Sequence, residues 1–172
     1  NVSKISIPNH LELVDLSNNK LTELDIEGVR LKRLITSFNQ IEEFKLYKNK
    51  SLYSIDLSNN PLTSIVIDNQ NAVESLSLSN CNLNNELIKN IVNCNRLKEL
   101  DICENDISKL SNISSLDKLE KINISNTLIK KIEIKDFPKS IKEIIFSDNI
   151  KIGDEIGINF ELDEKGSLTK KR

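Results

Sequence analysis

Apolar and polar positions along this chain fall into one short pattern that keeps returning. From Leu11 the residues run LELVDLSNNKL, from Leu31 LKRLITSFNQI and from Leu52 LYSIDLSNNPL. The frame recurs as VESLSLSNCNL from Val73, LKELDICENDI from Leu97 and LEKINISNTLI from Leu119, with a weaker copy, IKEIIFSDNIK, from Ile141. The starts lie 20, 21, 21, 24, 22 and 22 residues apart, so the phase holds along most of the chain. Self-similarity at a short fixed period is the mark of stacked structural units.

Within each unit two apolar residues alternate with a free position: Val14/Leu16, Leu34/Thr36, Ile55/Leu57, Leu76/Leu78, Leu100/Ile102, Ile122/Ile124 and Ile144/Phe146. A period of two predicts a short strand with one face inward. One such strand cannot bury its apolar side alone, but stacked copies form a parallel sheet over a continuous core. Each buried side chain then contributes roughly 1.5–3 kcal/mol. Asn19, Asn39, Asn60, Asn105 and Asn149 follow the strand, where the chain turns inward and exposes backbone groups to the core. An amide side chain can both donate to and accept from such groups. Cys81 and Thr127 replace this Asn in two copies and can each donate one hydrogen bond.

These motifs resemble the leucine-rich repeat, LxxLxLxxNxL, over about Leu11 to Lys151. The resemblance implies an α/β leucine-rich-repeat solenoid: a curved, right-handed parallel β superhelix with short strands, turns and one or two short helices on the convex side. Second apolar pairs, Leu24/Ile26, Phe44/Leu46, Ile65/Ile67 and Ile132/Ile134, predict short extended or turn-like segments on that outer side. The longer unit from Val73 places Leu87, Ile88, Ile91 and Val92 at helical spacing, which predicts a helix over 85–93 capped by Asn84 or Asn85. With Cys81 and Cys94 it resembles the repeats of ribonuclease-inhibitor-like proteins. A further turn is expected near Ser115–Lys118.

The organisation expected is a partial upstream repeat over residues 1–10, about seven repeats over 11–152, and a C-terminal cap and frayed tail over 153–172. Val2, Ile5 and Ile7 read as the second half of a repeat whose strand half is missing, so the expectation is a chain cut from a longer protein or one that begins unusually. Ile156, Ile158, Phe160 and Leu162 alternate and predict a last strand over the open end, with fraying from Lys165 onward.

Composition narrows the chemistry. Apolar residues are 38% of the chain and aromatics 4%, without Trp or Met, so the core must be aliphatic. A net charge of −2 with scattered Lys and Arg argues against nucleic acid, and no apolar run reaches the roughly 18 residues that span a bilayer, so no membrane partner is expected. The odd count of cysteines, Cys81, Cys94 and Cys103, leans towards a reducing compartment and a cytoplasmic protein. Sequons at Asn1, Asn49, Asn112 and Asn123 read as chance matches in a chain rich in Asn and Ser. A single His, no CxxC pair and no glycine-rich phosphate loop leave no catalytic set, no metal and no cofactor to expect.

Free positions of the strands line the concave face. There Leu13, Ile35 and Phe38, beside Arg33, read as an apolar contact patch or as incidental surface apolarity. Glu99, Asp101 and Glu104, beside Cys103, read as an acidic cluster that suits a Lys or Arg of a partner, or as solvated charge. The function expected is a protein-protein interaction module that binds a macromolecular partner on its concave face. Two alternatives remain: a regulatory or substrate-recognition arm of a multidomain enzyme or ubiquitin-ligase adaptor, and a surface or secreted recognition protein.

Overall fold

The computed structural model describes residues 4–8, 10–26, 30–69 and 71–171; of residues 4–6 and 158 it describes the backbone alone. Val2 and the sequon at Asn1 lie outside the described residues, as does the side chain of Ile158.

Every repeat centres a three-residue inner strand on the first residue of its alternating pair, and the second residue of the pair follows directly after the strand. Numbered in chain order, these are β2 (Leu13–Asp15), β4 (Arg33–Ile35), β6 (Ser54–Asp56), β8 (Ser75–Ser77), β9 (Glu99–Asp101), β10 (Lys121–Asn123) and β12 (Glu143–Ile145). They pair in parallel and in strict register, with Val14, Leu34, Ile55, Leu76, Leu100, Ile122 and Ile144 in one buried row. The sheet is the inner wall of a mostly parallel β-solenoid.

The outer pairs also form strands: β1 (Lys4–Ser6) beside β3 (Glu23–Asp25), β5 (Glu43–Leu46) beside β7 (Ser64–Ile67), and β11 (Lys131–Ile132) beside β13 (Lys151–Ile152). Phe44 and Leu46 sit in register with Ile65 and Ile67, and all four are buried. Inner and outer rows share one aliphatic core, which Leu31, Leu52, Leu97 and Leu119 close from the edge.

The polar column after the inner strands is a buried ladder. Asn39 Nδ2 donates to the carbonyls of Leu16 (2.9 Å) and Thr36 (3.0 Å), and its Oδ1 accepts the N–H of Leu21 (2.9 Å). Asn60 and Asn105 repeat this one and three turns on, Asn105 Oδ1 taking both Cys81 N–H and Leu83 N–H. Each amide thus joins its own turn to the preceding one. The two substitutes keep part of the role: the Cys81 thiol donates to Leu57 O at 3.1 Å and the Thr127 hydroxyl to Ile124 O at 2.9 Å. Asn19 and Asn149, at the ends, are exposed.

Three local expectations change. The helix expected over 85–93 is a 3-10 segment, Leu87–Asn93, entered through Asn84, whose Oδ1 accepts the N–H groups of Glu86 and Leu87. A 3-10 winding rises about 2.0 Å per residue against 1.5 Å for an α-helix, so it spans the repeat with fewer residues. Ile88, Asn90, Ile91, Val92 and Asn93 also have weak α-helical preference. Further 3-10 turns occur at Ile113–Ser115, ahead of the turn expected at Ser115–Lys118, and at Ile134–Asp136, where an extended pair was expected.

The C-terminal end differs most. The alternation from Ile156 to Leu162 is not one strand: α1 (Asp154–Asn159) comes first and only β14 (Phe160–Leu162) is extended. Ile156 and Phe160 are four residues apart as well as two periods of two, and burying both (0% and 3% exposed) serves a helix equally well. Asp154 and Glu155 in the first turn favour the helical choice. Within the stretch expected to fray from Lys165 lies one more strand. β15 (Leu168–Lys170) pairs antiparallel with β14 and with β12, covering the last parallel strand and burying Leu168. Asp163 Oδ1 accepts the N–H groups of Lys165 and Ser167, and Gly166 takes the left-handed φ of +77° that the turn needs.

Candidate functional site

On the solvent side of the inner sheet the register fixes which free positions are neighbours. Leu13 lies opposite Arg33, which lies opposite Ser54; Asp15, Ile35 and Asp56 form the next row. Further along, Glu99 lies opposite Lys121 and Lys121 opposite Glu143, while Ile35, Asp56, Ser77 and Asp101 continue one cross-strand row. The structure therefore brings Arg33 and Ile35 together on one strand, with Leu13 at one end of the neighbouring strand and Phe38 in the turn beyond. Leu13 and Phe38 are each 56% exposed but stand at opposite ends of the rows, so the apolar residues form a diagonal stripe rather than one cluster.

Two columns that look variable in sequence prove to have scaffold chemistry. Asp15, Asp56, Asp101 and Asn123 each accept, through Oδ1, the backbone N–H two residues on, at 2.9–3.1 Å. This Asx turn starts the bend after the strand. Hydrogen bonds from the Ser17 hydroxyl and backbone hold the carboxyl of Asp15 below the usual range, with Arg33 adding to the effect. Asp101 thus has a structural task besides its charge.

The second column is the residue before the ladder. Asn18, Phe38, Asn59, Asn80, Glu104 and Asn126 all have φ between 50° and 58°, the left-handed region. Asn is the non-glycine residue that tolerates it best, which explains four of the six. Asn80 also donates from Nδ2 to Asn59 Oδ1 at 2.9 Å, tying adjacent turns. Phe38 and Glu104 hold the same backbone angle without that preference. The repeat from Leu31 departs in both columns at once, with Ile35 in the Asx position and Phe38 in the left-handed position. The strain signal could have been found in sequence from the recurrence of Asn one residue before the ladder.

Charge is arranged rather than scattered. Along the edge before the strands, Glu12–Lys32 (2.7 Å), Glu74–Lys98 (2.8 Å) and Glu120–Lys142 (2.8 Å) bridge successive turns, with exposed Tyr53 between the first two pairs. On the face itself, the inner strands hold Asp15, Asp56, Glu99, Asp101 and Glu143 against Arg33 and Lys121, and Glu104 lies just beyond β9. Lys121 is paired with Glu143 at 2.9 Å. The Cys103 thiol, half-buried and 3.0 Å from the Ser79 hydroxyl, is pushed up to about 11, first by burial and also by Asp101 and Glu104. Burial pushes Cys81 and Cys94 up to about 12, so all three are protonated, unreactive thiols near neutral pH. Among the described residues, no group of three His, Cys, Asp or Glu side chains is placed to hold a metal ion, and no helix is long and apolar enough to cross a membrane.

The comparisons agree with this architecture. The Leucine Rich Repeat family profile matches residues 10–31, 51–69 and 72–94, which fall on the first, third and fourth repeats. Among solved structures, human trophoblast glycoprotein, 5T4 (Wnt-activated inhibitory factor 1), superposes with a TM-score of 0.58 at 16% identity, over 88% of this chain and 75% of its own. No curated protein matches the sequence. With seven inner strands in one parallel register, an asparagine ladder beneath them and family matches on three of the turns, the chain carries leucine-rich repeats and has the leucine-rich-repeat solenoid fold.

Proposed function

We propose that this protein is a protein-interaction module that binds its partner on the concave face, with Arg33, Ile35 and Phe38 at the centre of contact and Leu13 at its edge. Solenoids of this family typically bind rather than catalyse. The observation that carries the reading is the double departure of the Leu31 repeat. Ile35 gives up an Asx turn, and Phe38 holds a left-handed backbone that disfavours a bulky side chain by about 1–2 kcal/mol. Neither change helps the fold, and strain kept at an exposed aromatic is the pattern of a functional surface. Aromatic and Arg side chains are also the residues that most often dominate interface energy. Two fully buried cysteines serving as core side chains support a reducing, cytoplasmic setting for the same module.

The test is partner recovery by affinity capture with wild type and with the double variant Ile35→Asp, Phe38→Asn. Both substitutions restore the residue that neighbouring turns use, so the variant should fold at least as well as wild type. Loss of the partner with an unchanged circular-dichroism spectrum is expected. Equal recovery of every partner would remove this surface from consideration.

A further inference from the structure

The face just described carries an acidic cluster towards one end and Ile35, with Phe38 in the turn beyond it, towards the other. Ile35, Asp56, Ser77 and Asp101 are successive register partners on β4, β6, β8 and β9. At about 4.8 Å per strand, Ile35 and Asp101 stand roughly 14 Å apart along the solenoid axis. The acidic end gathers Glu99, Asp101 and Glu104, with Lys121 committed to Glu143 on the far side. The excess of carboxylates over cations on these strands exceeds the chain's whole net charge of −2, so negative charge is concentrated on this face and balanced elsewhere. Between the two ends lie small or short polar residues, Asp56 and Ser77, over which a chain can pass without collision.

We infer that the partner contributes an extended, basic polypeptide segment lying across the inner strands, with an apolar side chain on Ile35 and Phe38 and a Lys or Arg on Glu99, Asp101 and Glu104. This rests on the proposed use of the concave face and adds the chemistry of the occupant. An extended chain advances about 3.4 Å per residue, so 14 Å sets the apolar and basic residues about four positions apart. Charge complementarity decides the sign: an acidic segment would meet like charge at Asp56 and Asp101 and again at Glu99 and Glu104, whereas a basic one finds carboxylates there and steering towards them.

The experiment is selection of short random peptides displayed on phage against the intact chain, followed by binding of the synthetic consensus peptide by fluorescence anisotropy. The consensus expected pairs an aromatic or aliphatic residue with Lys or Arg about four positions away. The variant Glu99→Gln, Asp101→Asn, Glu104→Asn should weaken it roughly three- to tenfold, and affinity should fall as sodium chloride is raised. This variant keeps the scaffold: Asn serves the Asx turn at 123 and the left-handed position at 59. A consensus without basic residues, or one indifferent to the triple variant, overturns the inference; if Ile35→Asp still abolishes that binding, the concave face itself survives. Selected peptides that bind Ile35→Asp and the triple variant as they bind wild type overturn both readings. A selection that enriches nothing overturns the linear segment.

Discussion

Asn60→Ala is the substitution that most directly tests the ladder. Asn60 is 2% exposed and sits in mid-array, where its Nδ2 donates to Thr36 O (2.9 Å) and Leu57 O (2.8 Å) and its Oδ1 accepts Ile41 N–H (3.0 Å). Truncation orphans a buried N–H, at about 1–3 kcal/mol, and strips one partner from each of two carbonyls that still hold a second lone pair. Adding the small void gives a loss of about 3–5 kcal/mol, a large share of the roughly 5–15 kcal/mol that holds a domain together. Urea unfolding followed by far-UV circular dichroism reads the loss as a shift in midpoint at constant slope. Hydrogen exchange adds a local readout: the amide of Ile41 should lose protection first. The control is Asn19→Ala, because Asn19 is exposed and, among the described residues, its amide reaches the nearby carbonyls of Leu16 and Ser17. It should cost under about 1 kcal/mol. Equal losses from the two variants would refute the argument, since only the bridge between turns and the burial distinguish them.

Other outcomes follow from the same geometry. Phe38→Asn should raise stability by about 0.5–1 kcal/mol in urea unfolding while weakening partner capture, because it relaxes the left-handed backbone and removes the exposed ring. Native protein at pH 8 should leave Cys81, Cys94 and Cys103 almost unreacted with a thiol reagent, and denaturation should release all three. Their folded values lie above that of an ordinary thiol, about 9, so the folded state holds more protons there and stability should fall as pH rises from about 9 towards 12. Lys131 and Lys135, each bonded to Glu133, lower that carboxyl to about 2, and an NMR titration should place its midpoint well below that of an ordinary glutamate. High salt should raise that midpoint, because the pairs are solvent-exposed.

How much of this could be read before the structure depends on which interactions are local. The inner strands, the ladder positions and the outer pairs follow from side-chain alternation within a dozen residues, and a period that barely slips makes every unit interpret the others. Ile35 and Phe38 were also legible as departures, because several other copies carry Asp and Asn at those two positions. The reason their columns matter was not. The Asx turn and the left-handed angle are backbone properties, and they turned Asp101 from a free charge into one with a structural bond and Phe38 from an exposed ring into a strained one.

The C-terminal end shows the boundary most clearly. By itself the sequence determined a repeating aliphatic solenoid with a buried asparagine column, because each unit must bury the same face and satisfy the same inward turn. Only the tertiary structure decided how the array closes. Ile156 and Phe160 suit a strand or a helix equally, and the tail from Lys165 has no local pattern strong enough to choose. The exposed edge of β12 makes the choice: its unpaired backbone groups and the apolar surface beside Ile144 reward an antiparallel hairpin, and Leu168 is buried against them.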